Sequence, residues 1–414
     1  MSAEHPAVAA VLVRAGTAYV VPNPDTAPLL HRAVTTDLPD GLTWHEPSPD
    51  LLVAGVNRSE TEFLHKEVWV GNAYLRHGVV LPAAAVVVDI GANIGMFSLL
   101  AGLSGARVIA VEPVTEAASA VAVNAALHGV DVTVVESAVG RSAGETAFTV
   151  YPRNTVMSGR HASIDDREVL RAYLATDPDV SDVDLTAMAA DHLAAEVRRV
   201  PVTTVPDLLA GHGLSAVDLL KVDVEKAEWD VLAGIDAATW ALVDQVAVEV
   251  HDLDGRLAVI VDLLLGKGFT VSHDRDPRLV GTPCHTVYGH RKTVHRTPAP
   301  PRAPVAWPTT RALAADLSVD RVVLVRDLAD IPAAAPAAVS TGTVVLAEIW
   351  ADLFGPDAVH PDADFFALGG NSLTAVRLVS RLEARLGEDV VAPDTVFTAT
   401  RFQDLAAAIE AGLR

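Results

Sequence analysis

The sequence is short of cysteine, of basic charge and of long apolar runs, and each shortage removes a class of protein. Cys284 is the one cysteine in 414 residues, so no internal disulfide framework can form and a reducing compartment is the expected setting. Lys and Arg number 31 against 53 Asp and Glu, a formal charge of −22. Binding to a phosphate backbone needs the opposite sign, so no nucleic acid partner is expected. No apolar run is long enough to span a bilayer, and the opening residues MSAEHPAVAAVLVRAG lack a basic region followed by a cleavage site. The expectation is a cytoplasmic protein with no membrane partner. What the chain does have is apolar bulk, 50% of its residues, and a length that suits roughly two or three domains.

The rest of the chain is organised around residues 86–95, VVVDIGANIG. Val86, Val87 and Val88 run into Asp89, then a turn built on Gly91 and Gly95, then the apolar helix pattern Met96, Phe97, Leu99, Leu100. A continuous apolar run that breaks into glycine reads as a buried parallel strand feeding a helix. The spacing is D-x-G-x-N-x-G, not the G-x-G-x-x-G that grips a pyrophosphate. A second strand, ARVIAVEP (residues 106–113), ends in Glu112, and a carboxylate there suits the two ribose hydroxyls of a nucleoside. A helix over 117–127 and a third strand over 131–140 complete a βαβ rhythm. Residues 63–82 read as a helix leading into the core, with Glu67, Tyr74 and His77 placed to close over a ligand. Residues 151–200 interrupt the rhythm as a lid or a surface elaboration, helical from 164 to 197. The core resumes with a strand and helix over 217–235, a strand over 245–252, and a last helix with antiparallel strands over 258–290.

The turn resembles motif I of class I S-adenosylmethionine (SAM) methyltransferases. Together VVVDIGANIG, VIAVEP, LLKVDVEKAE and VAVEVH resemble the FkbM family of those enzymes, over roughly residues 50–290. The resemblance implies an α/β fold with a Rossmann-like sheet and SAM as cofactor. It places Asp89, Gly91, Asn93, Gly95, Glu112, Ser137 and Asp223 at the cofactor, with Glu136 or Ser137 flanking the adenine. One departure is visible: many members have Glu-Gly where this chain has Glu225-Lys226.

Asp223 and Glu225 are two apart at the end of one strand, and Glu249 and His251 at the end of the next, so each pair leaves on one face. His251, whose imidazole titrates near neutrality, is the candidate base, with Glu225 and Glu249 beside it as catalytic or substrate-binding groups. The same region could instead hold a divalent cation through Asp223, Glu249 and His251, or these could be solvated strand ends.

From residue 291 the composition changes. TPAPPRAPVAWP (297–308) is a proline-rich linker of extended path. A short unit follows, in which VVLVRDLADIP faintly resembles the tail of a peptide-synthetase adenylation domain without its lysine. From about residue 341 the pattern is helical. Phe365, Phe366, Leu368, Gly369, Gly370, Asn371, Ser372 and Leu373 form the signature of a peptidyl carrier protein, which this segment resembles. A serine on the first turn of a helix sets an attached phosphate against free N–H groups and the helix dipole. The resemblance implies a small all-α four-helix bundle carrying 4′-phosphopantetheine on Ser372.

The expected layout is therefore a methyltransferase domain over 1–290 (core about 84–290, extension 1–83), a linker over 291–340 and a carrier domain over 341–414. The expected activity is SAM-dependent O-methylation of a carrier-tethered acyl or aminoacyl group in nonribosomal peptide or hybrid biosynthesis. Its partners would be a phosphopantetheinyl transferase and adenylation, condensation or other assembly-line enzymes. Two other readings stand beside it: a carrier and docking protein with a weak methyltransferase scaffold, and a methyltransferase for a free small molecule.

Overall fold

A computed structural model describes residues 5–14, 17–152, 154–161, 195–276, 282–291, 305–319, 321–331, 341–370, 372–387, 390–391 and 395–413. The first strands, β1 (Val8–Arg14) and β2 (Thr17–Pro22), pair antiparallel, as do β3 (Thr43–Ser48) and β4 (Leu51–Gly55). The main sheet uses β5 (Val86–Ile90), β6 (Arg107–Val111) and β7 (Val132–Val135). A smaller sheet holds β8 (Ala138–Val139), β9 (Gly144–Val150) and β10 (Glu196–Thr203). The main sheet then continues with β11 (Leu219–Val222), β12 (Gln245–His251), β13 (Thr270–Asp274) and β14 (Cys284–His290).

The seven strands lie in the order β13-β14-β12-β11-β5-β6-β7. Neighbours from β12 across to β7 run parallel, while β14 is antiparallel to both β12 and β13. The strand order reverses between β5 and β11, and ligands of open α/β sheets bind outside the carboxyl ends of the strands at such a point.

Alternation along each strand assigns the two faces. Val88, Ile90, Leu220, Val222, Val246 and Val248 share one core with Leu208, Leu232 and Ile260 from helices Val205–Gly211, Glu228–Ala233 and Arg256–Gly266. Val87, Leu219, Ala247 and Tyr288 share the other with Phe97 and Leu99 of helix Met96–Leu103 and with Val53 and Leu64. Asp89, Lys221, Glu249 and His251 alternate in phase with this second set. The polar residues of the site therefore leave the sheet on one side.

Several expectations need correction. The helix read over 63–82 is instead Arg58–His65 followed by a π-turn at Lys66–Val70, and no helix continues beyond it. The third strand breaks after Val135, and its continuation β8 leaves to pair with β10. Of the helix read over 164–197, residues 164–194 lie outside the described residues, and the tail of that stretch starts β10. The short unit placed within the linker is not separate. Its strand β15 (Arg321–Leu324) pairs parallel with β2, and Leu313 of helix Thr310–Leu317 packs with Val20 and with Leu30 of helix Pro28–Thr35. Residues from both sides of the methyltransferase core thus build one small domain around it.

The carrier segment contains helices Thr341–Phe354, Ser372–Leu386, Thr395–Thr398 and Phe402–Gly412. Trp350 packs edge-on against Phe354, Phe365 and Phe402 at ring distances of 5.1, 5.8 and 5.4 Å. Asp364 accepts from the N–H groups of Phe366 and Ala367 and from the Thr400 hydroxyl, which pins the loop ahead of Ser372. A Cβ on Gly370 would fall 2.4 Å from the Phe365 carbonyl, so the second glycine of the signature is required by packing. Arg321 donates to the carbonyls of Val359 and Asp357, at 2.7 and 3.0 Å, and joins the small sheet to the carrier segment. Among the described residues no helix is long and apolar enough to cross a membrane.

Candidate active site

A cavity of about 270 Å³ opens at the carboxyl ends of β5, β6, β11 and β12. Its floor is the turn after β5. Gly91 has φ +75°, and a Cβ there would sit 1.6 Å from the Asp223 carbonyl. Only glycine lets the β5 and β11 loops approach so closely. Asn93 is also left-handed, φ +49°, a region asparagine tolerates better than most residues.

The N–H groups of this turn are spoken for. Those of Gly91 and Ala92 donate to Val111, Gly95 to Ala92, Ile94 to the Asn93 side chain and Asn93 to Glu112 Oε2 at 2.9 Å. A phosphate site needs such donors free. The charged group that the turn meets at the cavity is a carboxylate, Glu112.

Beneath the turn, Asp89 and Lys221 are register partners on adjacent parallel strands, and their charged ends lie 3.1 Å apart. Lys221 also donates to the Gly91 carbonyl at 2.6 Å and lies 3.4 Å from Asp223. Asp89 accepts from Ser98 at 2.6 Å, and Asp223 from the Tyr74 hydroxyl at 2.8 Å. Burial works against the Lys221 ammonium, but Asp89 and Asp223 outweigh it and hold its pKa above the ordinary lysine range. Asp89 is fully buried, and neither it nor Gly95 lines the cavity. Both position the turn from behind, where direct cofactor contact was expected.

Gly91, Asn93, Glu112, Ser137 and Asp223 do line the cavity. Glu112 accepts from Asn93 N–H and from Val114 N–H, one on each oxygen, leaving a lone pair on each for a ligand. Burial raises its pKa to about 7, partly offset by those two hydrogen bonds. Ser137 turns its hydroxyl to the carbonyls of Ala138 and Pro201, so it offers wall more than donor. Glu136 instead accepts from Thr115 at 2.5 Å on the exposed side.

The roof comes from residues 154–160, where Thr155, Val156 and Met157 form a short 3-10 turn. Glu60, buried in helix Arg58–His65, accepts from Thr155 N–H at 2.8 Å and from the Thr155 hydroxyl. Asn93 reaches the same threonine at 2.9 Å. The described part of the interrupting segment is therefore cavity wall, fastened to both the floor and the N-terminal helix. Of the residues on 63–82, Glu67 lines the cavity, Tyr74 holds Asp223 from behind it, and His77 faces Asp274 at 3.3 Å on the outside.

At the far end Glu225, Glu249 and His251 converge, with Cys284 opposite His251 in register. Burial first, then Asp223 and Glu67, lift the Glu249 carboxyl well above the usual carboxylate range. His251 is set differently from a free base. Its Nδ1 is 2.7 Å from Glu228 and its Nε2 is 3.2 Å from Glu225. Burial would lower its pKa, but Glu225, Cys284 and Glu228 raise it well above the ordinary histidine value. Among the described residues, candidate ligand atoms for a cation cluster here within 4.8 Å in two groups, Asp223, Glu225 and Glu249, and Glu249, His251 and Cys284, so the expected set of Asp223, Glu249 and His251 is divided between them. Two of these carboxylates already face protein nitrogens: Asp223 lies 3.4 Å from Lys221 Nζ, and Glu225 lies 3.2 Å from His251 Nε2.

Sequence reasoning missed Lys221, Glu228, Glu60 and Thr155. A lysine inside an apolar parallel strand signals a buried acidic partner, so Lys221 was within reach. The backbone accounts for the glycine that many members carry where this chain has Lys226. Lys226 has φ +72°, a conformation that glycine adopts freely, and Glu225 has φ +43°.

Comparison with known proteins agrees with this geometry. Residues 89–271 match the family model described as "Methyltransferase FkbM domain", and residues 344–409 match "Phosphopantetheine attachment site". The chain is 41% identical over 261 residues to 31-O-demethyl-FK506 methyltransferase FkbM of Streptomyces tacrolimicus, covering 62% of this chain and 96% of that one. It is 32% identical over 381 residues to AMB antimetabolite synthetase AmbE of Pseudomonas aeruginosa, covering 79% of this chain but 18% of that protein. Over 83 residues it is 39% identical to enterobactin synthase component F of Escherichia coli, 20% of this chain and 6% of that one. The chain thus belongs to the FkbM family of SAM-dependent methyltransferases, with a phosphopantetheine carrier domain on the same polypeptide.

Proposed function

We propose that this chain O-methylates a hydroxyl or carboxyl group of an acyl or aminoacyl intermediate carried on its own phosphopantetheine at Ser372, in nonribosomal peptide or hybrid biosynthesis. The observation that carries the reading is the pairing of a methyltransferase cavity with a carrier signature on one polypeptide. SAM supplies an electrophilic methyl on a sulfonium. Glu112 would hold its ribose and the Gly91–Asn93 turn its amino acid part, while Glu225, Glu249 and His251 surround the acceptor. A phosphopantetheinyl transferase must act first, and assembly-line enzymes must load the acyl group. The test is intact-mass measurement of the pantetheinylated chain after loading hydroxyacyl or aminoacyl groups and adding SAM. Gain of one methyl on the loaded arm supports the reading. No gain with any hydroxy- or carboxy-bearing group, while a free analogue is methylated, overturns it.

The cofactor end makes a separate prediction. Ionised Glu112 accepts from both ribose hydroxyls, whereas the protonated form has lost an acceptor site to its own proton. Because its pKa is raised to about 7, SAM affinity should rise with pH through that value and level off above it. Replacing Glu112 by Gln should remove this dependence and weaken binding by about 1.5–3 kcal/mol, roughly tenfold to a hundredfold. Calorimetric titration at several pH values reads both. An unchanged Kd in the variant would remove the ribose role.

A further inference from the structure

Glu228 has no part in the reading above, yet it is one of the most deeply buried charges among the described residues, at 0% exposure. It accepts from Lys226 N–H at 2.9 Å and from the Arg256 guanidinium at 3.2 Å, and its Oε1 lies 2.7 Å from His251 Nδ1. On the other side of the ring, Nε2 lies 3.2 Å from Glu225 Oε2. A neutral imidazole carries a single N–H. If that N–H points at Glu228, the Nε2 lone pair faces a carboxylate oxygen, and the contact holds only with a proton in it. The ring is thus a donor on both sides, or shares its second proton with Glu225. In neither case does it offer the cavity a free lone pair.

From this geometry we propose that Glu228 is a positioning residue that locks His251 as a two-sided donor, and that Glu225 is the group that takes the proton released by the methyl acceptor. The inference rests on the methyltransferase reading of the cavity. Glu225 lines that cavity, and its left-handed backbone, φ +43°, is braced by Gly159, where a Cβ would come within 3.1 Å of Glu225. Such strain is kept where the surroundings enforce it, typically at functional sites.

The titratable and charged groups around His251 are Glu249 on its own strand, Cys284 on β14, Asp223 and Glu225 beyond β11, and Glu228 with Arg256 behind it. Burial, Asp223 and Glu228 raise the Glu225 pKa while His251 pulls it back, which makes Glu225 a stronger base than a surface carboxylate. Of the carboxylates that line the cavity, Glu225 is the one paired with the ring, at 3.2 Å from Nε2.

The step balances. An electron pair on the acceptor oxygen forms the new O–C bond as the S–CH3 pair returns to sulfur, and the acceptor's O–H proton passes to Glu225. The sulfonium becomes a neutral thioether while the array Arg256–Glu228–His251–Glu225, two cations and two anions, gains one positive charge. Net charge inside the cavity is unchanged, which matters where the local dielectric is low.

The ring can be read directly, with no methyl acceptor present, so failure of the tethered-acceptor reading leaves this test intact. The full chain is labelled with 15N in its histidine rings, bound to S-adenosylhomocysteine and titrated between about pH 6 and 9, with His251→Gln assigning the signal. Both His251 nitrogens should stay protonated, or exchange one proton with Glu225, across the range. In Glu228→Gln the ring should titrate within it. In the loaded chain, Glu225→Gln should lower kcat by about a hundredfold to ten-thousandfold. Glu228→Gln should lose rate as pH rises through the new ring pKa. The opposite sign discriminates: were His251 the base, Glu228→Gln would free it and raise the rate near neutrality. A wild-type ring with one nitrogen unprotonated and unexchanging at neutral pH overturns the proposal, and needs no variant to fold.

Discussion

Replacing Ser372 by alanine should leave the chain unable to accept pantetheine and should cut methylation of the acyl group by about a hundredfold or more. The size follows from effective concentration. A short tether presents its cargo at roughly millimolar concentration, whereas the same acyl group as a free acid or simple thioester at about 10 µM must find the cavity by diffusion. The structure shortens the tether relative to the roughly fifty residues that the linker's sequence implies. Residues 305–331 do not belong to a free connection: β15 is paired to β2 and Leu313 is packed under Val20. Only residues 332–340 separate that anchored unit from helix Thr341–Phe354, a reach of about 30–35 Å at roughly 3.5 Å per extended residue.

The assays separate four outcomes. Loss of both loading and methylation in Ser372→Ala, with normal SAM binding, supports delivery on the chain's own arm. Full activity on the free molecule in either chain would replace it with a small-molecule methyltransferase. Restoration of full rate on mixing Ser372→Ala with a loaded Glu225→Gln chain would keep the tethered substrate but move delivery to a neighbouring molecule. Loading that persists in Ser372→Ala would remove the serine's assignment itself.

What could be read from the sequence was local. The run Val86–Ile90 into Gly91, the acid closing β6 and the polar pairs at the ends of β11 and β12 are each written within a few neighbouring residues, and alternation fixes their face. What could not be read was pairing across long separations. Nothing near β2 says that Arg321–Leu324 will lie beside it, because a parallel partner is chosen by the shape of the whole domain. The change from α-helix to π-turn at Lys66–Val70, the turn that carries Glu67 of the cavity wall, is another case. His251 shows the same limit in chemical terms. Its spacing from Glu249 was visible, but its 2.7 Å partner Glu228 comes from a helix, and no local pattern reports that contact.

The second large effect concerns stability. Replacing Lys221 by Met should destabilise the methyltransferase domain by about 3–5 kcal/mol, because it strips the partner from a buried acid and leaves the charge behind. Asp89 is fully buried and Lys221 is 3% exposed, so water cannot take over the ammonium's place without opening the core between β5 and β11. Met fills most of the volume and keeps the apolar stem, which removes cavity formation from the explanation. The loss reaches the site as well, since the Gly91 carbonyl gives up its 2.6 Å donor and Asp223 keeps only Tyr74 among these two partners. SAM binding should therefore weaken along with stability. Linkage gives the pH window: the raised Lys221 pKa means its contribution is whole below the ordinary lysine range and is lost only as pH climbs through the higher folded value. The lysine's own share of the wild-type to variant gap should thus stay constant across the neutral range. Denaturant unfolding reads it as a lower midpoint at unchanged slope in the methyltransferase transition. Asp89→Asn in the Lys221→Met background should recover part of the loss, because a neutral amide can still accept from Ser98 without an unpaired charge. A single-variant loss under about 1 kcal/mol, the range of an exposed pair, would mean that Asp89 does not carry its charge in the folded chain and that the turn is held by packing alone.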